Sequence, residues 1–149
     1  MGKVRFFGVL VSFLFYANLY SQADCILGVG VTDDSIISDI FQLNEMQHKK
    51  LVSFSAELKY RNELLNNELQ NVKERHPQRT VTELRQLADK YKGVMDSMGM
   101  VQKVIDKRML ALFNSNQYEL YLSLCKKALR SPYIVLPAVY TDSISVENR

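Results

Sequence analysis

Apolar residues recur through the middle of this chain at spacings of three, four and seven, separated by charged ones. Leu51, Phe54, Leu58, Leu65 and Val72, flanked by Leu64 and Leu69, trace one face of a helix running from about Glu45 to Arg75. The helix stops at His76-Pro77 because the residue before a proline disfavours the helical basin. Arg61 and Glu68 interrupt the stripe where a continuous seam calls for apolar side chains. A second helix begins near Val81, with Thr80 and Glu83 spaced as a capping box. Its stripe is a strict heptad of Leu84, Tyr91, Met98, Ile105 and Leu112, with Leu87, Val94 and Val101 between them. At 1.5 Å per residue each of these helices extends about 45 Å, and the short "HPQRT" connector makes them antiparallel neighbours. A third helix follows Asn114 and runs to about Arg130, ended by Ser131-Pro132.

The flanks carry weaker patterns. "CILGVGVTDD" is apolar and glycine-containing, and "SIISDIFQ" after it suits a short helix opened by Thr32 or Asp34. "YIVLPAVY" is β-branched, extended in character and broken by proline, and "TDSISVENR" after it is polar. The expected organisation is a leader over 1–23, an amino-terminal arm over 24–42, a helical domain over 43–131 and an extended carboxy-terminal tail over 132–149. The fold class is all-α: a long antiparallel helical hairpin plus a third helix.

Composition changes this picture at the amino terminus. Lys3 and Arg5 precede an apolar block from Phe6 to about Tyr20, followed by small and polar residues, which is the layout of a secretory signal peptide. The block is shorter than the ~20 residues that span a bilayer, and cleavage is expected after Ser21 or Ala23. Lipidation would require Cys25 to become the first mature residue, with Asp24 standing directly before it. Without Lys3 and Arg5 the 19 basic residues become 17 against 16 acidic ones, and the net charge falls from +3 to about +1. No basic cluster interleaved with aromatics remains to mark a nucleic-acid partner. Export places Cys25 and Cys125 in an oxidising compartment, where a bridge between them would close a loop of about 100 residues. The other reading is a buried unpaired Cys125 and a free Cys25 on a loose arm, and spacing alone does not choose between the two.

Two helix starts share one pattern. In Leu43-Asn44-Glu45-Met46-Gln47 the Asn44 side chain can cap the first turn, and Gln47 can return a bond to the cap's own amide. Phe113-Asn114-Ser115-Asn116-Gln117 repeats the arrangement, each start adding about 1 kcal/mol of local stability. The pair resembles the twin L-T-x-x-Q motifs of the Spy/CpxP family of periplasmic proteins, with Asn in place of Thr in both and Phe in place of Leu in the second. The resemblance covers about residues 36 to 131. It implies a cradle-shaped antiparallel homodimer that acts as an ATP-independent stress-response chaperone or, in some branches, as a sensor or binder of heavy metals.

Physics of the hairpin points the same way, since two 45 Å helices bury one stripe each and leave the opposite faces open. Dimerisation would cover part of that surface, and any uncovered part is a candidate binding patch. The candidate client-binding side chains are Met95, Met98 and Met100 of "VMDSMGMV", with Phe54 and Leu58 from the first helix. The methionines also suit plain core packing, because Met98 is on the heptad, or soft-metal binding to Cu(I). Three thioethers converge only if Gly93 and Gly99 break the helix, since position 100 points away from 95 and 98. His48 and His76 stand at opposite ends of the first helix, about 42 Å apart, and would share a metal such as Zn(II) only across an antiparallel dimer. No phosphate loop, nucleophile elbow or zinc-protease motif is present, so neither an enzyme nor a cofactor is expected. The expected function is an exported periplasmic chaperone for unfolded envelope proteins; the alternatives are a Cu or Zn sensor or binding protein and a structural protein docked to one envelope partner.

Overall fold

A computed structural model describes residues 22–135. Most of the expected leader and of the carboxy-terminal tail, including residues 136–140 of the extended segment, lies outside the described residues. Four helices occur among the described residues: α1 (Asp34–Phe41), α2 (Glu45–Arg75), α3 (Val81–Leu110) and α4 (Ser115–Lys127). Two short strands, β1 (Asp24–Cys25) and β2 (Ser131–Pro132), pair in parallel.

Each helix begins where its side chains can satisfy the orphan amides of the first turn. Asn44, Thr80 and Asn114 open α2, α3 and α4, each with a complete capping box to Gln47, Glu83 and Gln117 respectively. Asp33 opens α1 by accepting the Ser35 amide, so the cap is neither Thr32 nor Asp34. The last helix ends at Lys127, three residues before the expected Arg130. There Leu129 adopts a positive φ of 53°, and the Arg130 amide donates back to the Cys125 carbonyl at 2.9 Å. That pairing closes the helix as a Schellman turn and sends the chain into β2.

The long α2–α3 hairpin is the main contact of the fold. Its seam is uneven. At the end where α1 and α4 join, Leu51, Phe54, Leu58, Ile105, Met109 and Leu110 form one core with Val29, Ile37, Phe41, Phe113 and Tyr121. Beyond Leu58 the only fully buried residue of α2 is Leu69, and before Ile105 the only one of α3 is Val94. The heptad expected on α3 therefore holds at Ile105 but not at its start. Leu84 and Tyr91 are exposed, and the seam runs through Val94, partly covered by Leu87, Met98 and Val101. On α2 the stripe thins likewise: Arg61 and Glu68 are exposed, and of its apolar residues beyond Leu58 Leu69 is buried while Leu65 and Val72 are only partly covered.

Candidate functional site

The two Asn-x-x-Gln starts, seventy residues apart in sequence, meet in the core. Gln47 Nε2 donates to Gln117 Oε1 at 2.8 Å, and Gln117 Nε2 donates to Gln47 Oε1 at 3.1 Å. Each Oε1 also accepts its own cap amide, from Asn44 at 3.0 Å and from Asn114 at 2.9 Å. Each Nε2 finishes on a carbonyl of the segment before the other helix: Leu112 at 2.6 Å for Gln47, and Phe41 at 2.9 Å for Gln117. Phe41 and Phe113 pack against each other nearby, tilted by 40° with ring centroids 4.8 Å apart. The motif is thus a reciprocal lock between two helix starts. Both glutamines are buried, and a buried amide with all its partners supplied fixes one arrangement because any other leaves polar atoms unpaired. Leu43 packs half-buried against the same core.

A second clasp holds the arm, and little in the sequence pattern announced it. Asp106 is fully buried on α3, and its carboxylate accepts the amides of Leu27 at 2.8 Å, Gly28 at 3.2 Å and Val29 at 3.1 Å. Gln102 Nε2 donates to it at 2.8 Å and to the Val29 carbonyl at 3.2 Å. Burial pushes the Asp106 carboxyl above the usual carboxylate range, while the donors from Gly28, Gln102, Val29 and Leu27 pull it back. The turn that presents those amides needs Gly28 at φ 86° and Gly30 at φ 73°, in the left-handed region that costs glycine little. Gly30 also lies so close to α2 that a Cβ there would stand 3.1 Å from the Ser55 Cα and from a Leu58 methyl. The single visible hint was one carboxylate set among the apolar residues of "VIDKRML".

Cys25 and Cys125 are joined, with 5.6 Å between their Cα atoms. The arm is accordingly fastened, not loose. Tyr121 reinforces the bridge: its hydroxyl donates to the Cys25 carbonyl at 2.6 Å and accepts the Tyr133 amide at 2.8 Å. Burial pushes both the Tyr121 and the Tyr133 hydroxyls up to about 12. Next to the disulfide, Ile26, Ile36, Ile40 and Leu124 line an apolar groove of about 180 Å³ between the arm, α1 and α4.

The remaining candidates divide by burial. Phe54 and Leu58, expected on a client surface, belong to the core at 8% and 1% exposure. The Arg108 guanidinium lies 4.4 Å from the Phe54 ring centroid and pairs with Glu57 at 2.6 Å, while the Gly30 turn covers Leu58. Met95 is 47% exposed, Met98 is half-buried and Met100 is 62% exposed. The helix runs unbroken through Gly93 and Gly99, so the bend that would bring three thioethers together does not form. His48 is exposed near the start of α2, and His76 is the C-cap of the same helix. The described residues contain no group of three or more His, Cys, Asp or Glu placed to hold a metal ion, and none of their helices is long and apolar enough to cross a membrane.

Apolar side chains are exposed at both ends of the molecule, among them Val31, Ile36, Leu129 and Ile134 around the base and a row along the hairpin beyond the core. Leu84, Tyr91 and Met95 repeat at seven and four on α3 and share one exposed face. Tyr60 and Leu64 on α2, with Met100 and Val104 on α3, are exposed as well. Compared with protein-family models, with curated proteins and with solved structures, the chain shows no match.

Proposed function

We propose that this chain is an exported, ATP-independent chaperone of the Spy/CpxP type, which holds apolar segments of unfolded periplasmic proteins against the projecting hairpin. The observation that carries the reading is the row Leu84, Tyr91 and Met95, left uncovered on a hairpin whose other end joins a base fastened by a disulfide and two buried hydrogen-bond clasps. A client site of this sort needs adaptable apolar side chains among charged ones and no catalytic group, so that unrelated segments bind weakly and leave. The Cys25–Cys125 bridge is consistent with an oxidising compartment, which supports a periplasmic location. Two chains set side by side as a homodimer would turn the open hairpin faces into a cradle and cover part of the row.

The test is light scattering from two unrelated denatured, aggregating clients, with mature oxidised protein, chelator and no nucleotide. Suppression of aggregation is expected, and the triple substitution Leu84→Ser, Tyr91→Ser and Met95→Ser should abolish most of it while circular dichroism stays unchanged. Equal suppression by the folded triple variant would place client binding elsewhere. No suppression by the unaltered protein would remove the chaperone reading.

A further inference from the structure

The far end of the hairpin carries a cleft that the client reading does not use. Val72, Arg75, His76 and Pro77, from the end of α2 and the turn, face Lys90 of α3 across about 390 Å³. Six Lys and Arg but only three carboxylates lie between Lys73 and Lys92. One of the three, Glu83, is turned into the α3 cap, where the amides of Arg79 at 2.8 Å and Thr80 at 2.9 Å hold it below the usual carboxylate range. Among the described residues no ion pair engages Arg75, Arg79 or Lys90; of the six bases only Lys92 has one, with Asp96. His76 lines the cleft, its Nδ1 2.9 Å from the Pro77 carbonyl. Glu68 also lines the cleft and opposes the positive charge.

Apolar side chains accompany the charge. Val81, in the first turn of α3, is 75% exposed, and Leu84 is exposed one turn further on. From Leu58, the last residue of the continuous core on α2, the tip projects about 27 Å at 1.5 Å per residue. A projecting end that carries a basic cleft and also exposes Val81 and Leu84 matches the chemistry of a surface that is anionic outside and apolar just beneath.

We propose that the hairpin tip docks on a membrane surface carrying anionic phospholipid, with a headgroup phosphate received between Arg75 and Lys90 and with Val81 and Leu84 at the headgroup boundary. Charge complementarity selects this occupant. The free cations at the tip lack protein counter-ions, and a phosphate-bearing surface supplies them. The inference shares Leu84 with the client row but rests on the turn and its cleft, and the Arg75 and Lys90 substitutions touch no residue of that row.

The experiment is co-sedimentation of mature oxidised protein with vesicles of phosphatidylcholine alone, or of phosphatidylcholine with phosphatidylglycerol, alongside a titration with inorganic phosphate. Binding only to the anionic vesicles, weakened by salt, is expected. The pair Arg75→Gln and Lys90→Gln should weaken it about tenfold, Val81→Asp should weaken it further, and Glu68→Gln should strengthen it, all with an unchanged melting temperature. Equal binding to both vesicle types, no binding to either, or indifference to the Arg75 and Lys90 substitutions would overturn the proposal. So would inorganic phosphate binding at the tip without vesicle binding, which would make the cleft a site for free anions.

Discussion

The two ends of the α2–α3 hairpin are made from the same pair of helices and follow different rules. At the base, every element that can contribute a fastening does so: the bridge between Cys25 and Cys125, the three arm amides on Asp106, and the reciprocal Gln47–Gln117 pair. Toward the tip the helices touch through isolated buried residues such as Leu69 and Val94; Leu65, Val72, Leu87 and Met98 are partly covered, and Leu64, Leu84, Tyr91 and Met95 stay in solvent. A chain that must expose apolar surface and remain folded can do so only if its stability is concentrated elsewhere. Here the disulfide and both buried hydrogen-bond clasps sit at the base, and the tip carries none of them.

The sharpest way to break that comparison is to open the base covalently. Replacing Cys25 and Cys125 by serine, or reducing the bridge, frees a loop of about 100 residues, which the chain-entropy relation values at up to ~4.7 kcal/mol. The urea midpoint should fall by the largest amount of any change considered, and hydrogen exchange should rise first in the arm. If the midpoint stayed within error, the bridge would be redundant with the other clasps.

Asp106→Asn should come next. The carboxylate uses Oδ2 for Leu27 and Gly28 and Oδ1 for Val29 and Gln102, so an amide in its place must turn a donor toward two other donors. Leaving buried amides without an acceptor costs about 3 kcal/mol, read as a lower urea midpoint and as lost exchange protection at Leu27–Val29. Because Asp106 and the disulfide fasten the same arm, the two losses should not add, and a double-mutant cycle would measure the coupling.

Removing one glutamine of the central pair is expected to cost about 2 kcal/mol, since Gln117→Ala takes the donor from the Phe41 carbonyl and the acceptor from the Asn114 amide, and leaves Gln47 Nε2 with its bond to the Leu112 carbonyl alone. Gln47→Ala should cost about as much, and the double substitution less than the sum. Additive losses would mean that each glutamine acts only as a local cap.

This pair also shows how far the sequence could be read. The capping boxes at Asn44, Thr80 and Asn114 were legible because their partners stand three residues apart. That the first and third of them bond to each other was not legible, because nothing local encodes a contact across seventy residues. The Asp106 clasp was hidden for a stronger reason: its partners are backbone amides, which every sequence has, presented by two glycines that look like ordinary loop residues. Phe54 and Leu58, expected on an open surface, lie on the stripe, and the fastened arm and Arg108 cover them. Leu84 and Tyr91 failed in the opposite direction. A heptad records which residues could form a seam, but the buried position on this stretch of α3 is Val94, and Leu84 and Tyr91 stay exposed.

Alkaline pH tests the base in a different way. Unfolded tyrosines titrate near 10, whereas Tyr121 and Tyr133 are pushed up to about 12 by burial. The fold therefore favours the neutral phenols: their contribution is complete below about pH 10 and is lost as pH rises through 10 to 12. Ionised Tyr121 could no longer donate to the Cys25 carbonyl. Ultraviolet titration should resolve two late phenols, and Tyr121→Phe should remove one of them. Two tyrosines titrating with the exposed ones would show that the clasp around the disulfide opens readily.

Glycine substitution draws the contrast on the smallest scale and with opposite signs. At Gly93 and Gly99 an added methyl would meet nothing within 4 Å, and neither position has a positive φ, so alanine gains helix propensity alone. Each change should raise stability by ~0.5–1 kcal/mol, seen as a slightly higher urea midpoint. At Gly30 the same methyl would need φ 73° and would press against Ser55 and Leu58, so Gly30→Ala should lower the midpoint. Stiffening α3 at Gly93 and Gly99 also probes function, because a hairpin that flexes there to fit its clients should suppress aggregation less well once both are alanine. If stability rose and activity held, the glycines would matter only as small residues on an open face, and adaptability would reside in the side chains of Tyr91 and Met95.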